Sequence, residues 1–242
     1  FELARSLRVE ADEVVARLDR FTEEQYRVLD GLDINDRFLV EGGAGTGKSF
    51  LALECARRHA ARGQRVQLVC YSPVLAAFLR SRLDAPGVTI KSAHQLMLDT
   101  VRERGALIPG GYYPGMPITD PWFVNKLIPA FELVAPGIPE AERFDVLIID
   151  EGQDILNADY LLALEHLLRG GYKDGCWRVF YDANNQGAIF GKLDASALDL
   201  LKAYAPRPLL LKRNCRNTAQ IVEKTKSATG ADLDASSTSD GP

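Results

Sequence analysis

Residues 42–49 read Gly-Gly-Ala-Gly-Thr-Gly-Lys-Ser and fit the pattern G-x-x-x-x-G-K-[ST] at each fixed position. An apolar run, Phe-Leu-Val at 38–40, precedes them, and a second one, Phe-Leu-Ala-Leu at 50–53, follows. Strand, glycine-rich loop and helix in this order predict backbone N–H groups that wrap phosphate oxygens at a helix N-terminus. The alternative is a glycine-rich turn in which Lys-Ser occurs by chance.

The residues of this loop predict a site for ATP with Mg²⁺. The Lys48 ammonium is expected to face solvent until phosphate arrives and then to reach the β- and γ-phosphates. The Ser49 hydroxyl would bind the metal ion. The residues predicted to hold the nucleotide are Gly42, Gly43, Ala44, Gly45, Thr46, Gly47, Lys48 and Ser49.

A second segment, Val-Leu-Ile-Ile-Asp-Glu at 146–151, ends a predicted buried strand in two acidic residues. Asp150 would hold the Mg²⁺ shell, and Glu151 would orient and deprotonate the attacking water. The same two acids could instead cap the helix that follows them. Because the phosphate loop lies upstream, we favour the catalytic interpretation, which makes the chain an ATPase.

Short apolar strands alternate with amphipathic helices along most of the chain. Strands are predicted at 38–41, 66–70, 88–90, 146–150, 178–181 and 209–211, and helices at 48–62, 74–83, 93–104 and 159–168, with another beginning after residue 218. Several of the strands are continuous Val, Leu and Ile runs, as in parallel sheets that are covered on both faces. This alternation predicts an α/β fold with a doubly wound parallel sheet.

The composition is that of an ordinary globular protein, with 46% hydrophobic and 26% charged residues. No apolar run approaches the roughly 20 residues that span a bilayer. Cys55, Cys70, Cys176 and Cys215 lack metal-ligand spacing, so we expect no structural metal, no disulfide framework and a reducing cytoplasm. The net charge of −4 argues against a dedicated DNA-coating protein. The first residue is Phe1, and we interpret the chain as a piece of a longer protein.

The acidic pair continues into Asp-Glu-x-Gln-Asp at 150–154, which resembles motif II of the UvrD/Rep-like helicases of superfamily 1. Upstream, Thr-Glu-Glu-Gln at 22–25 resembles the Q-motif of that family, in which Gln25 would read the adenine edge. The same four residues also fit a capping box at the start of a short helix. Both interpretations can hold together.

Two downstream segments resemble further motifs of the family. Phe-Tyr-Asp-Ala-Asn-Asn-Gln at 180–186 resembles motif III, which implies that Gln186 contacts the γ-phosphate. Leu-Lys-Arg-Asn-Cys-Arg-Asn-Thr at 211–218 resembles motif IV, which implies that Arg216 stabilises charge on that phosphate, whereas an arginine before a helix is ordinarily just solvated. Cys215 stands where the family usually has a tyrosine that stacks on adenine, which puts base discrimination in doubt.

Three further residues are predicted to contact single-stranded nucleic acid. Tyr71 lies where motif Ia places an aromatic that stacks on a base, and we expect its ring to be exposed. The alternative is a ring packed under the following helix. His94 lies in a helix start that resembles the family element touching the strand backbone, although a lone histidine there is often structural. Phe190 is the nearby aromatic that could replace a tryptophan absent after motif III.

The resemblance implies a RecA-like P-loop NTPase fold and the first motor domain of an ATP-driven helicase or translocase. Its partners would be single-stranded DNA or RNA and a second RecA-like domain of the same protein. Among the branches of the superfamily, the chain looks most similar to the one that often follows a nuclease-related (NERD-type) domain. An alternative function is a nucleotide-dependent regulatory switch that unwinds nothing, while motifs II and IV argue against a P-loop kinase.

Five segments make up the predicted domain organisation. Residues 1–20 would form a lead-in helix, and 21–227 the ATP-binding motor domain. Within it, the Gly- and Pro-rich segment 105–143 would be a small inserted subdomain, and 212–227 would begin or connect to the second motor domain. Residues 228–242 are small and polar and predict a flexible tail or linker.

Overall fold

The computed structural model describes residues 23–183, 194–218 and 234–239, with side chains for 27–183 and 194–212. A six-stranded sheet lies at its centre, in the order β3-β2-β4-β5-β1-β6. The strands are β1 Arg37–Gly42, β2 Val66–Cys70, β3 Val88–Ser92, β4 Val146–Ile149, β5 Cys176–Tyr181 and β6 Arg207–Leu211. Every neighbouring pair is parallel, so the carboxyl ends of all six strands meet at one edge.

Helices cover both faces of this sheet. They are α1 Glu23–Leu32, α2 Lys48–Ala61, α3 Pro73–Arg82, α4 Ala93–Glu103, α5 Ile128–Val134, α6 Ala158–Glu165, α7 Gly171–Asp174 and α8 Ala195–Lys202. Serine side chains cap two of them, since Ser72 accepts from the Leu75 N–H and Ser92 from the Gln95 N–H. The α/β fold with a doubly wound parallel sheet, predicted from the alternation, is confirmed, and it is the RecA-like class that the family resemblance implies.

The alternating side chains of β4 show how the core is divided. Leu147 and Ile149 belong to one apolar cluster, together with residues of α4, α5, α6 and α8. Val146 and Ile148 belong to a second cluster on the opposite face, together with residues of α1, α2 and α3. Because both faces are buried, strands such as β4 read as continuous aliphatic runs rather than as alternating apolar and polar residues.

The segment 105–143, predicted as an inserted subdomain, shares the core of the main domain. Met116, Trp122, Phe123 and Phe131 are buried in the cluster that also contains α4 and the inner face of β4. A π-helical turn, Phe123–Leu127, runs directly into α5. The segment therefore covers one face of the sheet and has no separate core of its own.

A buried arginine fastens α1 to the sheet. Arg178 on β5 is 1% exposed, and its Nη2 donates to the carbonyls of Leu32 at 2.8 Å and Asn35 at 3.0 Å, just after α1. On the surface, Arg58 of α2 pairs with Asp33 at 2.8 Å. The helix that carries Gln25 is thus tied both to the sheet and to the helix that follows the glycine-rich loop.

The C-terminal part departs from prediction. Strand β7, Arg213–Thr218, pairs in parallel with β8, Asp234–Ser239, with irregular register. A flexible tail or linker was predicted over 228–242, and the described part of that segment, 234–239, forms strand β8. The lead-in helix predicted at 1–20 and the helix predicted after residue 218 lie outside the described residues.

The described ranges contain neither a helix that could span a membrane nor a group of metal ligands. No helix in them is long and apolar enough to cross a membrane. Within the same ranges, no three His, Cys, Asp or Glu side chains are grouped as a metal cluster. Cys55 and Cys70 are buried free thiols, and Cys176 is a half-buried one.

Candidate active site

The glycine-rich loop links β1 to α2 at the carboxyl edge of the sheet. Gly47 is the N-cap of α2 and has φ 88° and ψ 19°, in the left-handed region that a glycine adopts without strain. The buried Thr46 hydroxyl donates to the Gly43 carbonyl at 2.8 Å, which closes the loop upon itself. The loop therefore presents the backbone at the start of a 14-residue helix, where anions bind favourably.

The Lys48 side chain folds back over this loop. It is 6% exposed, and its Nζ donates to the Gly42 carbonyl at 2.8 Å and to the Gly43 carbonyl at 3.1 Å. The prediction that Lys48 faces solvent is therefore wrong, because the two loop carbonyls partner its buried ammonium. A phosphate oxygen carries negative charge and would be a stronger acceptor than either carbonyl.

Asp150 is the most deeply buried charged residue of the site. It follows β4, is 0% exposed, and neither carboxylate oxygen has a hydrogen-bond partner among the described residues. Burial, and after it the charge of Glu151, raise the pKa of Asp150, which is about 7. The Ser49 hydroxyl, the Lys48 ammonium and the backbone N–H of Glu151 lie close enough to oppose this rise, although none completes a hydrogen bond of ordinary geometry to the carboxylate.

These donor groups fit a hard divalent cation. A buried carboxylate without hydrogen bonds costs several kcal/mol unless a proton or a cation compensates its charge. Mg²⁺ prefers oxygen ligands and is commonly held by one or two carboxylates together with substrate phosphates. Asp150 and the Ser49 hydroxyl supply such oxygens beside the phosphate loop. The fit rests on the two unpartnered oxygens of Asp150.

Glu151 adopts a backbone conformation that is rare for a residue with a side chain. Its φ and ψ are both 49°, in the left-handed region, which costs on the order of 1–3 kcal/mol. Its Oε2 accepts a hydrogen bond from Gln153 Nε2 at 2.6 Å, and Gln153 Oε1 accepts from the Asp182 N–H at 3.0 Å. One amide thus joins the acid after β4 to the end of β5.

Gly152 explains how the strained turn is held. A Cβ at this position would lie 2.8 Å from Val179 Cγ1 and 3.1 Å from the Phe180 carbonyl oxygen. Only a glycine permits the turn to approach β5 so closely. Sequence reasoning placed Gly152 and Gln153 in motif II and gave neither a role, although the Asp-Glu-x-Gln-Asp pattern already contained the signal.

Strand β5 separates the strand of the phosphate loop from the strand of the acids. The Tyr181 hydroxyl at its end donates to Glu41 Oε2 on β1 at 3.1 Å. Burial, and then the charge of Glu41, raises the pKa of Tyr181, so its hydroxyl keeps the donating proton. Because neighbouring strands are about 4.8 Å apart, β1 and β4 lie about 10 Å apart across β5.

Tyr71 is part of the core. It is 7% exposed, its hydroxyl donates to the Ile118 carbonyl at 2.7 Å, and its ring meets the edge of His94 with centroids 5.1 Å apart. The prediction of an exposed ring that stacks on a nucleic-acid base is therefore wrong. The 105–143 segment, which contributes Ile118, covers this end of β2.

His94 is buried in the same cluster. It is 3% exposed and stacks on Phe123 with centroids 3.8 Å apart and planes 6° apart, while its Nε2 shares a hydrogen bond with the Tyr160 hydroxyl. Its Nδ1 has no partner among the described residues. Burial lowers the pKa of His94 to about 4, so the ring is neutral at pH 7. A buried neutral ring cannot reach a phosphate backbone, and the predicted nucleic-acid contact is wrong.

The structure describes no side chain for four other predicted site residues. Gln25 lies in α1 and Arg216 lies in β7, each with only its backbone described. Gln186 and Phe190 lie outside the described residues. Their roles stay predictions.

Comparisons with known proteins agree with a helicase-type domain. The family described as "Schlafen group 3, DNA/RNA helicase domain" matches residues 35–171, which include the phosphate loop and motif II. No curated protein matches the chain significantly. The match names neither the UvrD/Rep-like branch nor the NERD-associated one, and both of these assignments stay predictions.

Solved structures with similar folds include two Pif1 helicases and a DnaA protein. Pif1 from Candida albicans is 18% identical, with a TM-score of 0.48, over 80% of this chain and 40% of that one. Bacteroides Pif1 bound to ssDNA is 16% identical, with a TM-score of 0.46, over 89% and 47%. AMPPCP-bound DnaA from Aquifex aeolicus is 14% identical, with a TM-score of 0.41, over 89% and 55%. The chain spans about half the length of these proteins, and likenesses this distant say nothing about its activity.

Proposed function

Because this chain belongs to the family of Schlafen group 3 DNA/RNA helicase domains, we propose that it binds ATP with Mg²⁺ and hydrolyses it as the first motor domain of a superfamily 1 helicase or translocase. The observation that carries the proposal is Asp150, a fully buried carboxylate with two unpartnered oxygens beside Ser49 and Lys48. A site of this charge and burial is stabilised by a bound cation. The family membership gives the reaction that such a site would serve.

The phosphate loop binds the triphosphate in this proposal. Backbone N–H groups of 42–49 surround the phosphates, and the Lys48 ammonium exchanges its two carbonyl partners for phosphate oxygens. Since that ammonium already lies over Gly42 and Gly43, it needs only a local change of acceptor. Gln25, on the helix fastened by Arg178, would read the adenine edge.

Two oxygen donors would hold the magnesium ion. The Ser49 hydroxyl and the Asp150 carboxylate are the protein ligands, with Asp150 acting in its ionised form. When bound, Mg²⁺ offsets the phosphate charge and polarises the γ-phosphate. Arg216 and Gln186 would add contacts to the γ-phosphate.

Glu151 is the residue that we assign to the attacking water. Its carboxylate, oriented by Gln153, accepts a proton from that water as it attacks. The energy released would drive movement along single-stranded DNA or RNA, together with a second RecA-like domain. Tyr71 and His94 take no part in that contact, whereas Phe190 stays a proposed stacking residue.

The test compares ATP hydrolysis by the wild-type chain and by Glu151→Gln, each with and without single-stranded DNA or RNA. We expect the nucleic acid to stimulate the wild-type protein. Glu151→Gln should lower turnover by about 10²–10⁴-fold, because it removes a general base and leaves the metal ligands in place. ATP affinity should be unchanged. Tight nucleotide binding without any hydrolysis would support a regulatory switch in place of a motor.

A further inference from the structure

Two side-chain hydrogen bonds cross the carboxyl edge of the sheet and meet on β5. On one side the Tyr181 hydroxyl bonds to Glu41 of β1, and on the other the Asp182 N–H bonds to Gln153 of the turn after β4. The second link continues through the same amide to Glu151. The carboxylate assigned to the water is thus connected, through one side chain, to Asp182, the residue that directly follows β5.

The chemistry of the link requires an amide. Toward Glu151 the side chain must donate, because a carboxylate only accepts, and toward the Asp182 N–H it must accept. Glutamine has both functions on one group, and the two partners fix which end of the amide faces which. A glutamate at 153 could accept from Asp182 but could not donate to Glu151 when ionised.

The surrounding backbone makes this link sensitive to movement. Glu151 stays in the left-handed region, and Gly152 packs directly onto Val179 and Phe180 of β5. The turn therefore rests on β5, and a shift of the strand end changes the position of the Gln153 amide. A carboxylate held by a single 2.6 Å bond would turn with that amide.

We propose that Gln153 is a positioning residue that couples the orientation of the Glu151 carboxylate to the position of the end of β5 at Asp182. The proposal rests on the function proposed above, in which Glu151 acts on the attacking water. Gln186 follows Asp182 by four residues in the sequence. A ligand that displaces the end of β5 would thereby turn the catalytic acid toward or away from the water.

The first experiment measures hydrogen exchange of the Asp182 amide without nucleotide. Gln153→Ala should accelerate exchange by about 2- to 12-fold, as expected for the loss of one ordinary hydrogen bond. Gln153→Glu loses the bond to Glu151 but keeps a charged acceptor for the Asp182 N–H, so its exchange should be slower than that of Gln153→Ala. Glu151→Ala removes the anchor of the amide and should accelerate exchange, whereas Glu151→Gln keeps an acceptor and should not. An unchanged rate in Glu151→Ala would overturn the coupling.

The second experiment measures ATP turnover and KM. Gln153→Ala and Gln153→Glu should both lower kcat by about 10–100-fold, as loss of a supporting hydrogen bond does in comparable sites, with little change in KM. The control is Gln95→Ala, since Gln95 also donates to a carboxylate, that of Asp99 at 2.6 Å, but on the exposed face of α4. A normal kcat in Gln153→Glu would overturn the proposal.

The two experiments separate this inference from the proposed function. If the wild-type protein hydrolyses no ATP, the proposed function fails, but the exchange series still decides whether Glu151 and Asp182 are coupled. Melting temperatures of all variants identify any that unfold. If Gln153→Ala is unfolded, the Gln153→Glu and Glu151 variants carry the test.

Discussion

The carboxyl edge of the sheet has two halves that bury different kinds of side chain. Around β1 and β4 it buries charged groups, the Lys48 ammonium and the Asp150 carboxylate, and the carboxylate has no hydrogen-bond partner among the described residues. Around β2 and β3 it buries two neutral rings: the Tyr71 hydroxyl donates to the Ile118 carbonyl, and His94 stacks on Phe123 and shares a hydrogen bond with the Tyr160 hydroxyl.

The difference separates a binding site from a core. Neutral rings that stack and hydrogen-bond to one another are stable without any ligand. A buried carboxylate without hydrogen bonds needs a proton or a cation to compensate its charge. The residues predicted to contact ligands at this edge therefore divide into a half that fits a ligand and a half that is covered by segment 105–143.

The largest expected effect concerns the filled half. Tyr71→Ala should lower the free energy of unfolding by about 3–5 kcal/mol, since it removes a buried aromatic ring. Tyr71→Phe keeps the ring, loses the hydrogen bond to Ile118, and should cost about 1 kcal/mol. Urea unfolding measures both changes. Neither variant should alter the affinity for single-stranded DNA. Weaker DNA binding with unchanged stability would show that Tyr71 contacts the nucleic acid after all.

A pH series sharpens the comparison through His94. Its pKa is about 4 in the folded protein against an ordinary value of 6.5, so the unfolded chain binds more protons between these two values. The contribution of His94 to stability should therefore fall by at most about 3 kcal/mol as the pH drops from about 6.5 to 4, while the raised pKa values of Asp150 and Asp154 act in the opposite direction. His94→Phe should change the slope by the contribution of His94 alone, because the lowered pKa of His59 and the raised ones of the two carboxyls remain in both proteins. An equal slope in both proteins would show that His94 does not titrate in this way.

The third effect concerns the charged half. ATP with Mg²⁺ at about 100 times its dissociation constant should stabilise the wild-type protein by about 2.7 kcal/mol. Lys48→Ala should abolish this stabilisation, since the main cationic contact to the phosphates is lost. The control is Lys91→Ala, because Lys91 pairs with Asp99 at 2.8 Å on the surface. Melting curves with and without nucleotide test both, and an equal shift in Lys48→Ala would remove Lys48 from the site.

The strands β2 and β4 could be predicted from sequence because burial on both faces leaves a largely apolar run. Val146–Ile149 is wholly aliphatic and Val66–Cys70 is apolar apart from Gln67, and their predicted and observed bounds differ by one residue at most. The phosphate loop could also be predicted from sequence, since its conformation depends on local glycines such as Gly47. Features that depend only on near neighbours in the chain are the ones that sequence reveals.

Other features depend on distant partners and could not be read in this way. Tyr71 and His94 are buried because Ile118 and Phe123, dozens of residues later, pack over them. The strand Asp234–Ser239 has a polar composition that predicts no strand, and only its pairing with Arg213–Thr218 defines it. The Lys48 ammonium turned inward because two loop carbonyls compete with water for it.

The place of β5 between the two halves of the nucleotide site has a consequence for how that site can change. The distance between the phosphate loop and Asp150 is set by the number of strands between them, so it can change only by about 4.8 Å per strand. No gradual drift of the backbone can adjust such a gap, because removing the spacer would halve it at once. Smaller changes in the geometry of the site can come only from side chains that bridge neighbouring strand ends, such as Tyr181 with Glu41 and Gln153 with Asp182. The sheet therefore fixes the overall spacing of the site, and we expect functional variation among related proteins at the side chains that bridge the strand ends.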